Sequence, residues 1–466
     1  MKLFCERTAL LKNGKLELVP ALISIKGSKI ESVQEWHKPQ DTLDSHTLVL
    51  KNKMLTPAFV NSHTHLAMSF FRGIDLGASA SGNMVTDFFF KVESKLSAED
   101  VRAFTRMGAY ECLLFGVGTV WDHYYHGEAV AQGLCDVGLT GVVAPTLQDL
   151  EGPGKDAWER EWSNTEHIHS SKDFAKQGVV AAWGPHATDT VSAKLWKIIQ
   201  EASSKSSIPI HMHLAQSREQ FYKRMASENL TPVKFLSRMG IFDTKSSLML
   251  AHGIYLRDDD MSTLAQHSQS NLVYCPFSQM IFDFPANVME WERKNLNWLI
   301  ATDTVASNDS MNVQKELRAV SGLPLQALSH SQNYRKFEKE HSTLEDLCSE
   351  RDKVWQQTER FRDPSFLLSK VWHKAGSLHP HLKVGIIAPD AFANLLVWDL
   401  DHPTFWPSQS LRGLCFNDSN SAIYNMLIAG KWMGKDASFA ESIYTSSNYK
   451  NALKEAAQRL NKILKS

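Results

Sequence analysis

Eight short apolar runs, most of them followed by an amphipathic stretch, predict an α/β chain built on a (β/α)8 (TIM) barrel. Histidine or aspartate ends most of those runs, which is where such barrels carry their reactive groups. β-prone segments recur at both chain ends, outside the alternating region, and predict a small β-sandwich domain formed by both ends. The expected division is 1–53 for the N-terminal part of the sandwich, 54–380 for the barrel, and 381–466 for the C-terminal part with a terminal helix.

In chain order, residues 1–53 hold Thr8–Leu11, Leu16–Leu18, Ala21–Ile25 and Lys29–Val33, short runs separated by Asn-Gly and Gly-Ser turns. The barrel runs are Met54–Val60, Gly118–Asp122, Gly141–Pro145, Val179–Trp183, Pro209–His213, Leu248–His252, Asn271–Cys275 and Trp298–Thr302. Each is nearly continuously apolar, as strands buried on both faces of a parallel sheet are. Helical spacing follows in Ala98–Phe115, Val191–Ser203, Gln216–Met239 and Met261–His267. Residues 329–362 are charged and helix-prone and read as a solvated helical insertion, with a lid or subunit contact as the alternative. Beyond 380, Gly385–Ile387, Ala393–Asp399, Ala422–Ile428 and Lys431–Met433 return to strand character. Asn448–Leu464 closes the chain with helical periodicity.

Composition narrows the function classes. The 466 residues are 43% apolar and 22% charged with a net charge of −1, values of an ordinary globular protein. No basic block points to nucleic acid or an anionic membrane, and no apolar stretch approaches the ~20 residues that cross a bilayer. Six scattered cysteines without Cys-x-x-Cys read as reduced and favour the cytoplasm. A homodimer is the default assembly.

His63-Thr64-His65 is the most informative motif. Residues two apart on a strand share a face, so both imidazoles enter one small volume. Further strand ends read Asp122-His123, Pro185-His186, His213, His252, Ser278 and Asp303. Several imidazoles with one carboxylate suit a divalent metal such as zinc, iron or nickel. His-Glu-x-x-His, Gly-x-Ser-x-Gly and P-loop motifs are missing from the sequence.

The motifs Leu55–His65, Arg72-Gly73, Gly184–Ala187, His211–Gln216, Leu250–Gly253, Cys275–Ser278, Thr302–Ser310 and Val384–Asp399 resemble the metal-dependent amidohydrolase superfamily, in its aminohydrolase and chlorohydrolase branch. The resemblance implies one divalent ion, zinc first, held by His63, His65, His213, His252 and Asp303. It implies that Asp303 moves the protons, that His252 also orients the attacking hydroxide, and that His186 and Arg72 meet the substrate. His211 shares a face with His213 and is expected behind it; His123 and His126 are weaker candidates. The implied reaction is hydrolytic deamination of an amino-substituted purine, pterin or related nitrogen heterocycle.

One position departs from the family. Deaminases of this branch carry a glutamate three residues after the strand-five histidine, and this chain has Gln216. An amide binds a heterocycle edge but cannot donate and recover a proton. Either Asp303 performs every transfer, or the scaffold hydrolyses another C–N or C–Cl bond, or the chain is a metal-retaining pseudoenzyme.

Overall fold

The computed structural model describes residues 1–73, 83–435 and 438–465. Strands at the N-terminus are β1 (Lys2–Lys12), β2 (Lys15–Lys26), β3 (Lys29–Glu35), β4 (Thr47–Val49) and β5 (Lys53–Pro57). The central strands are β6 (Phe59–Thr64), β7 (Val117–Tyr124), β8 (Thr140–Leu147), β9 (Val179–Ala181), β10 (Gly184–Pro185), β11 (Ile210–Leu214), β12 (Leu248–His252), β13 (Ser270–Tyr274) and β14 (Trp298–Ile300). β15 (Leu395–Asp399), β16 (Ile423–Ile428) and β17 (Lys431–Trp432) follow.

The central strands form two parallel sheets, one of β6 to β10 and one of β11 to β14. Two parallel bridges join them. Trp183 pairs with Ile210 on one side, and Thr64 pairs with Asp303 on the other. Eight parallel staves therefore close on themselves, with β9 and β10 sharing one stave. The Val179–Trp183 run is interrupted because the Trp183 backbone turns to the next strand, donating to Pro209 O and accepting from His211 N. Gly184 permits close approach here, since a Cβ would stand 2.4 Å from the Pro145 carbonyl oxygen.

One expectation needs correction. Met54–Val60 is not one barrel strand: it divides at Ala58, and β5 leaves the barrel to pair with β1 and β15 while β6 pairs with β7. The two chain ends join in one eight-stranded hydrogen-bonded sheet, in the order β17-β16-β15-β5-β1-β2-β3 with β4 on β1. β5 causes this, because it pairs laterally with strands from both ends. Within that sheet Pro20 lies opposite a bulge in β1 between Cys5 and Thr8, a place where its missing N–H breaks no ladder bond.

Helices cover the barrel. Ala98–Leu114 starts at a capping box in which Ser97 and Asp100 satisfy each other's backbone N–H. Gln216–Met239 is two helices, Arg218–Glu228 and Pro232–Arg238, because Asn229 ends the first in the left-handed region and Thr231-Pro232 starts the second. Helices Gln332–Glu338 and Leu344–Gln357 of the insertion bury none of their residues. The last helix, Ser447–Ile463, is tied to Ala98–Leu114 by Arg459–Asp100 at 3.0 Å and Arg106–Glu455 at 2.5 Å. Among the described residues no helix is long and apolar enough to cross a membrane.

Buried Asn394 connects the end sheet to the barrel. Its amide donates to Gly118 O and lies within hydrogen-bond reach of Thr119 and Thr140 Oγ1, while its oxygen accepts from Ala429 N. Asn394→Ala leaves Ala429 N without its acceptor, while Gly118 O, Thr119 and Thr140 keep their bonds to one another, so it should destabilise the protein by about 1–3 kcal/mol, measured by denaturant unfolding.

Candidate active site

The strands aim their carboxyl ends at one point. His63 and His65 come from β6 and the residue after it, His213 from β11, His252 from the end of β12, and Asp303 from just beyond β14. His63 Nε2 and His65 Nε2 lie 3.4 and 3.3 Å from Asp303 Oδ1. His63, His213 and His252 also bring one ring nitrogen each within 4.8 Å of one another. All five side chains are almost wholly buried.

The far side of each ring fixes what the near side offers. His65 Nδ1 faces the His123 carbonyl at 2.5 Å, and His213 Nδ1 faces the His186 carbonyl at 3.0 Å. A carbonyl only accepts, so both Nδ1 atoms carry the proton, and a neutral ring then presents a lone pair at Nε2. Those two Nε2 atoms stand 3.2 Å apart. Facing lone pairs at that distance repel unless positive charge lies between them. His63 Nδ1 is 2.8 Å from His211 Nε2, and His63 Nε2 is buried without a well-aligned hydrogen bond. His211 thus stands behind His63 in the structure. The donor set fits one divalent cation, with outer partners orienting the rings as metal-bound histidines require.

Electrostatics point the same way. Burial holds His213 and His211 well below the usual imidazole range and brings His252 down to about 4. Burial also lowers His65, but the bond and charge of Asp303 override it and raise that pKa. Burial alone would raise Asp303; His63 and His65 outweigh it and hold the carboxyl well below its ordinary value. Two backbone positions are strained: His252 has φ 81° and Asp303 φ 62°, conformations non-glycine residues adopt at a cost, often at functional sites.

A cavity of about 560 Å³ opens above this cluster. His186 and half-buried Gln216 line it. His186 Nδ1 is paired with Thr190 Oγ1 at 2.9 Å, and burial lowers its pKa to about 3, so the ring is neutral. Gln216 donates its backbone N–H to Gln220 Oε1. His123 also lines the cavity, held by Thr146. Arg72 is not among the described lining residues. Its guanidinium is taken up by Glu111 and by the Asp309 carbonyl. His126 faces the Leu96 carbonyl, away from the site.

Sequence reasoning named Ser278 and Asp122 only as strand-end residues and missed Glu93. Ser278 Oγ donates to Asp303 Oδ2 at 2.5 Å and accepts from Ser307 Oγ at 2.8 Å, so Asp303 keeps Oδ1 toward the imidazoles. Ser278 was legible as a strand-end residue, but its partner was not. Buried Glu93 lines the cavity from a short helix that no sequence signal singled out, and burial raises it to about 7. Asp122 Oδ2 accepts from Thr64 Oγ1 and Leu66 N, fixing the turn that carries His63 and His65.

A closed ring of parallel strands with imidazoles and one carboxylate at their carboxyl ends defines the class of metal-dependent barrel hydrolases. The amidohydrolase family profile matches residues 54–344, and the chain belongs to that family. It is therefore a hydrolytic enzyme of carbon–nitrogen chemistry. The chain is 24% identical over 418 residues to a 5'-deoxyadenosine deaminase of Methanocaldococcus jannaschii, covering 89% of this chain and 91% of that one. It is 25% identical over 434 residues to a 5-methylthioadenosine/S-adenosylhomocysteine deaminase of Thermococcus sibiricus, covering 91% and 93%. Its fold matches an adenosine deaminase from Xanthomonas campestris with bound zinc, at a TM-score of 0.80 and 18% identity over 100% and 98% of the two chains. It also matches an atrazine chlorohydrolase from Arthrobacter aurescens complexed with zinc, at 0.77 and 17% over 98% and 100%.

Behind the site, Glu316 accepts from Phe277 N and Asn308 Nδ2, and burial pushes it up to about 8 from an ordinary 4.5. Between those values the folded state holds a proton that the unfolded state has lost, so this contribution is present below pH 4.5 and disappears as pH rises through 8. Glu316→Gln should remove the dependence. Its stability relative to wild type should rise across that window by up to about 1.4 kcal/mol per pH unit, read from unfolding curves at several pH values.

Proposed function

We propose that this chain hydrolytically deaminates an amino-substituted purine or a closely related nitrogen heterocycle. The observation that carries the reading is the convergence of His63, His65, His213, His252 and Asp303 on one point at the floor of a ligand-sized cavity. The relatives' adenosine-type substrates give the ring class, and the zinc in two structural neighbours makes zinc the first choice of metal over iron or nickel. Cytoplasmic placement is part of the same proposal.

A divalent cation held by His63, His65, His213, His252 and Asp303 would supply a Lewis acid and would bring water's pKa from 15.7 toward about 7. The protein's own groups do the rest. Asp303, kept ionised and oriented by Ser278, accepts the proton of the attacking water and returns it to the departing nitrogen. His252 orients the nucleophile from the end of β12. Neutral His186 offers a hydrogen bond to the heterocycle, and Gln216 grips its edge with one donor group and one acceptor.

Gln216 favours a second reading: the same scaffold hydrolysing a different C–N or C–Cl bond whose leaving group needs no ring protonation. The substitution Gln216→Glu separates them. General acid catalysis contributes about 10²–10⁴ in rate, so for a deaminase Gln216→Glu should raise ammonia release from adenosine-type purines by at least ~10-fold. Loss of a wild-type activity in that variant would establish the second reading. Silence in both forms, with metal bound, would mean a pseudoenzyme. Metal analysis should return one divalent ion per chain, lost in His63→Ala.

A further inference from the structure

The segments that leave β6 and β14 are fastened to each other beside the barrel seam. Glu111, on the helix Ala98–Leu114, accepts from Met311 N with Oε1 at 3.1 Å and takes the Arg72 guanidinium on Oε2. Arg72 Nη1 donates to the Asp309 carbonyl at 2.5 Å, and Gly73 N donates to Asp309 Oδ1 at 3.1 Å. One carboxylate and one guanidinium thus hold 72–73 and 309–311 against the same helix. The held turn begins at Asp303. Asp309 has φ 55° and, like Asp303, stands in the left-handed region, so two strained positions bracket Thr304–Asn308. Inside the turn Ser307 Oγ donates to Ser278 Oγ, which donates to Asp303 Oδ2. Its far end returns to the strand it left, because Met311 Sδ lies 3.3 Å from Thr302 Oγ1.

We propose that Arg72 and Glu111 are positioning residues for Asp303: they anchor the outer end of its turn and, through Ser307 and Ser278, fix which carboxylate oxygen faces the imidazoles. This rests on the metal site of the proposed function and not on which bond that site hydrolyses. A non-glycine residue keeps a left-handed backbone only where its surroundings over-determine it, and the clamp supplies that restraint from outside the turn. The planar guanidinium suits the task, since it meets a carboxylate and a carbonyl at fixed angles, which an ammonium does not. The Arg72 side chain is 43% exposed, and an ion pair so placed adds little to fold stability. Its effect falls on the geometry of the turn instead. Groups that orient metal ligands commonly change metal affinity 10–100-fold, and a clamp acting through two serines belongs at the low end of that range.

Zinc binding to the full chain, read by competition with a chromophoric chelator, tests this without any substrate. Arg72→Met should weaken zinc about 10-fold. Arg72→Lys should weaken it less, because an ammonium still meets Glu111 but does not also span to the Asp309 carbonyl. Arg102→Met is the comparison: Arg102 leaves the same helix and grips Asp136 of the next one through Nε and Nη2 at 2.7 and 2.8 Å, so its loss should lower the melting temperature and leave zinc affinity unchanged. Zinc affinity within about twofold of wild type in Arg72→Met would overturn the proposal, as would an equal loss in Arg102→Met. Arg72→Met combined with Glu111→Gln separates the clamp from a stranded charge. The new amide still accepts from Met311 N, so zinc should stay weak; recovery of wild-type affinity would blame the unpaired carboxylate and also overturn the proposal. In ammonia-release assays on an adenosine-type purine, zinc-loaded Arg72→Met should lose kcat while KM holds within about threefold. A raised KM at unchanged kcat would make Arg72 a substrate group and refute the assignment. The zinc result without ammonia release from the wild type would keep the clamp and remove the deaminase.

Discussion

Two lone pairs facing each other across 3.2 Å are the constraint on which the rest of the site depends. His65 and His213 have their outer nitrogens committed to backbone carbonyls, so neither ring can turn its N–H inward without losing a buried hydrogen bond. Positive charge must lie between them. A proton on His65, stabilised by Asp303, answers part of that demand, and its raised pKa records this. A divalent ion would answer it for all the converging rings at once, and five donors arrive there from β6, β11, β12 and the end of β14.

The barrel seam and the site are the same piece of backbone. Asp303 N donates to His63 O at 3.1 Å, and the Thr64–Asp303 bridge joins the last stave to the first. Asp303 reaches the cluster only by adopting a left-handed backbone, worth about 1–3 kcal/mol of strain. Closure of the ring sustains that cost. Asp122 and the Ser278–Ser307 pair act in the same sense: they spend buried hydrogen bonds on orienting donors.

The strand-end chemistry was legible because it depends on local rules. Alternation places His63 and His65 on one face, and parallel staves put every carboxyl end on one side. What escaped depends on partners distant in sequence. β5 and β6 are equally apolar, so hydrophobicity could not say that Thr56 belongs to the end sheet and Val60 to the barrel; the pairing of β5 with β1 and β15 decides it. Arg72 resembled a substrate group by its place after the histidine pair, yet Glu111, one helix away, holds it at the surface. Ser278 became meaningful only once β13 and β14 stood side by side. The break at Asn229 was readable from Thr231-Pro232, a helix-start signal overridden by the longer periodicity around it.

Gln216 and the buried carboxyls together limit where protons can go. Burial pushes Glu93, Asp122 and Glu316 up to about 7, 6 and 8, so carboxyls around the cluster favour their protonated forms over a wide range. Asp303 is the exception, held ionised by the imidazoles beside it. Asp122 is spent on the β6 turn and Glu316 on the backbone behind Asp303. That leaves Asp303 as the ionised base at the floor, Glu93 in the cavity wall, and no carboxylic acid at position 216. In the proposed reaction Asp303 takes the proton inward from water and then passes it outward to the leaving nitrogen. A single carboxylate can do both only if the two transfers occur in sequence, with the substrate held still between them. Holding it still falls to Gln216, His186 and the aromatic wall, which is a binding task that an amide performs as well as an acid.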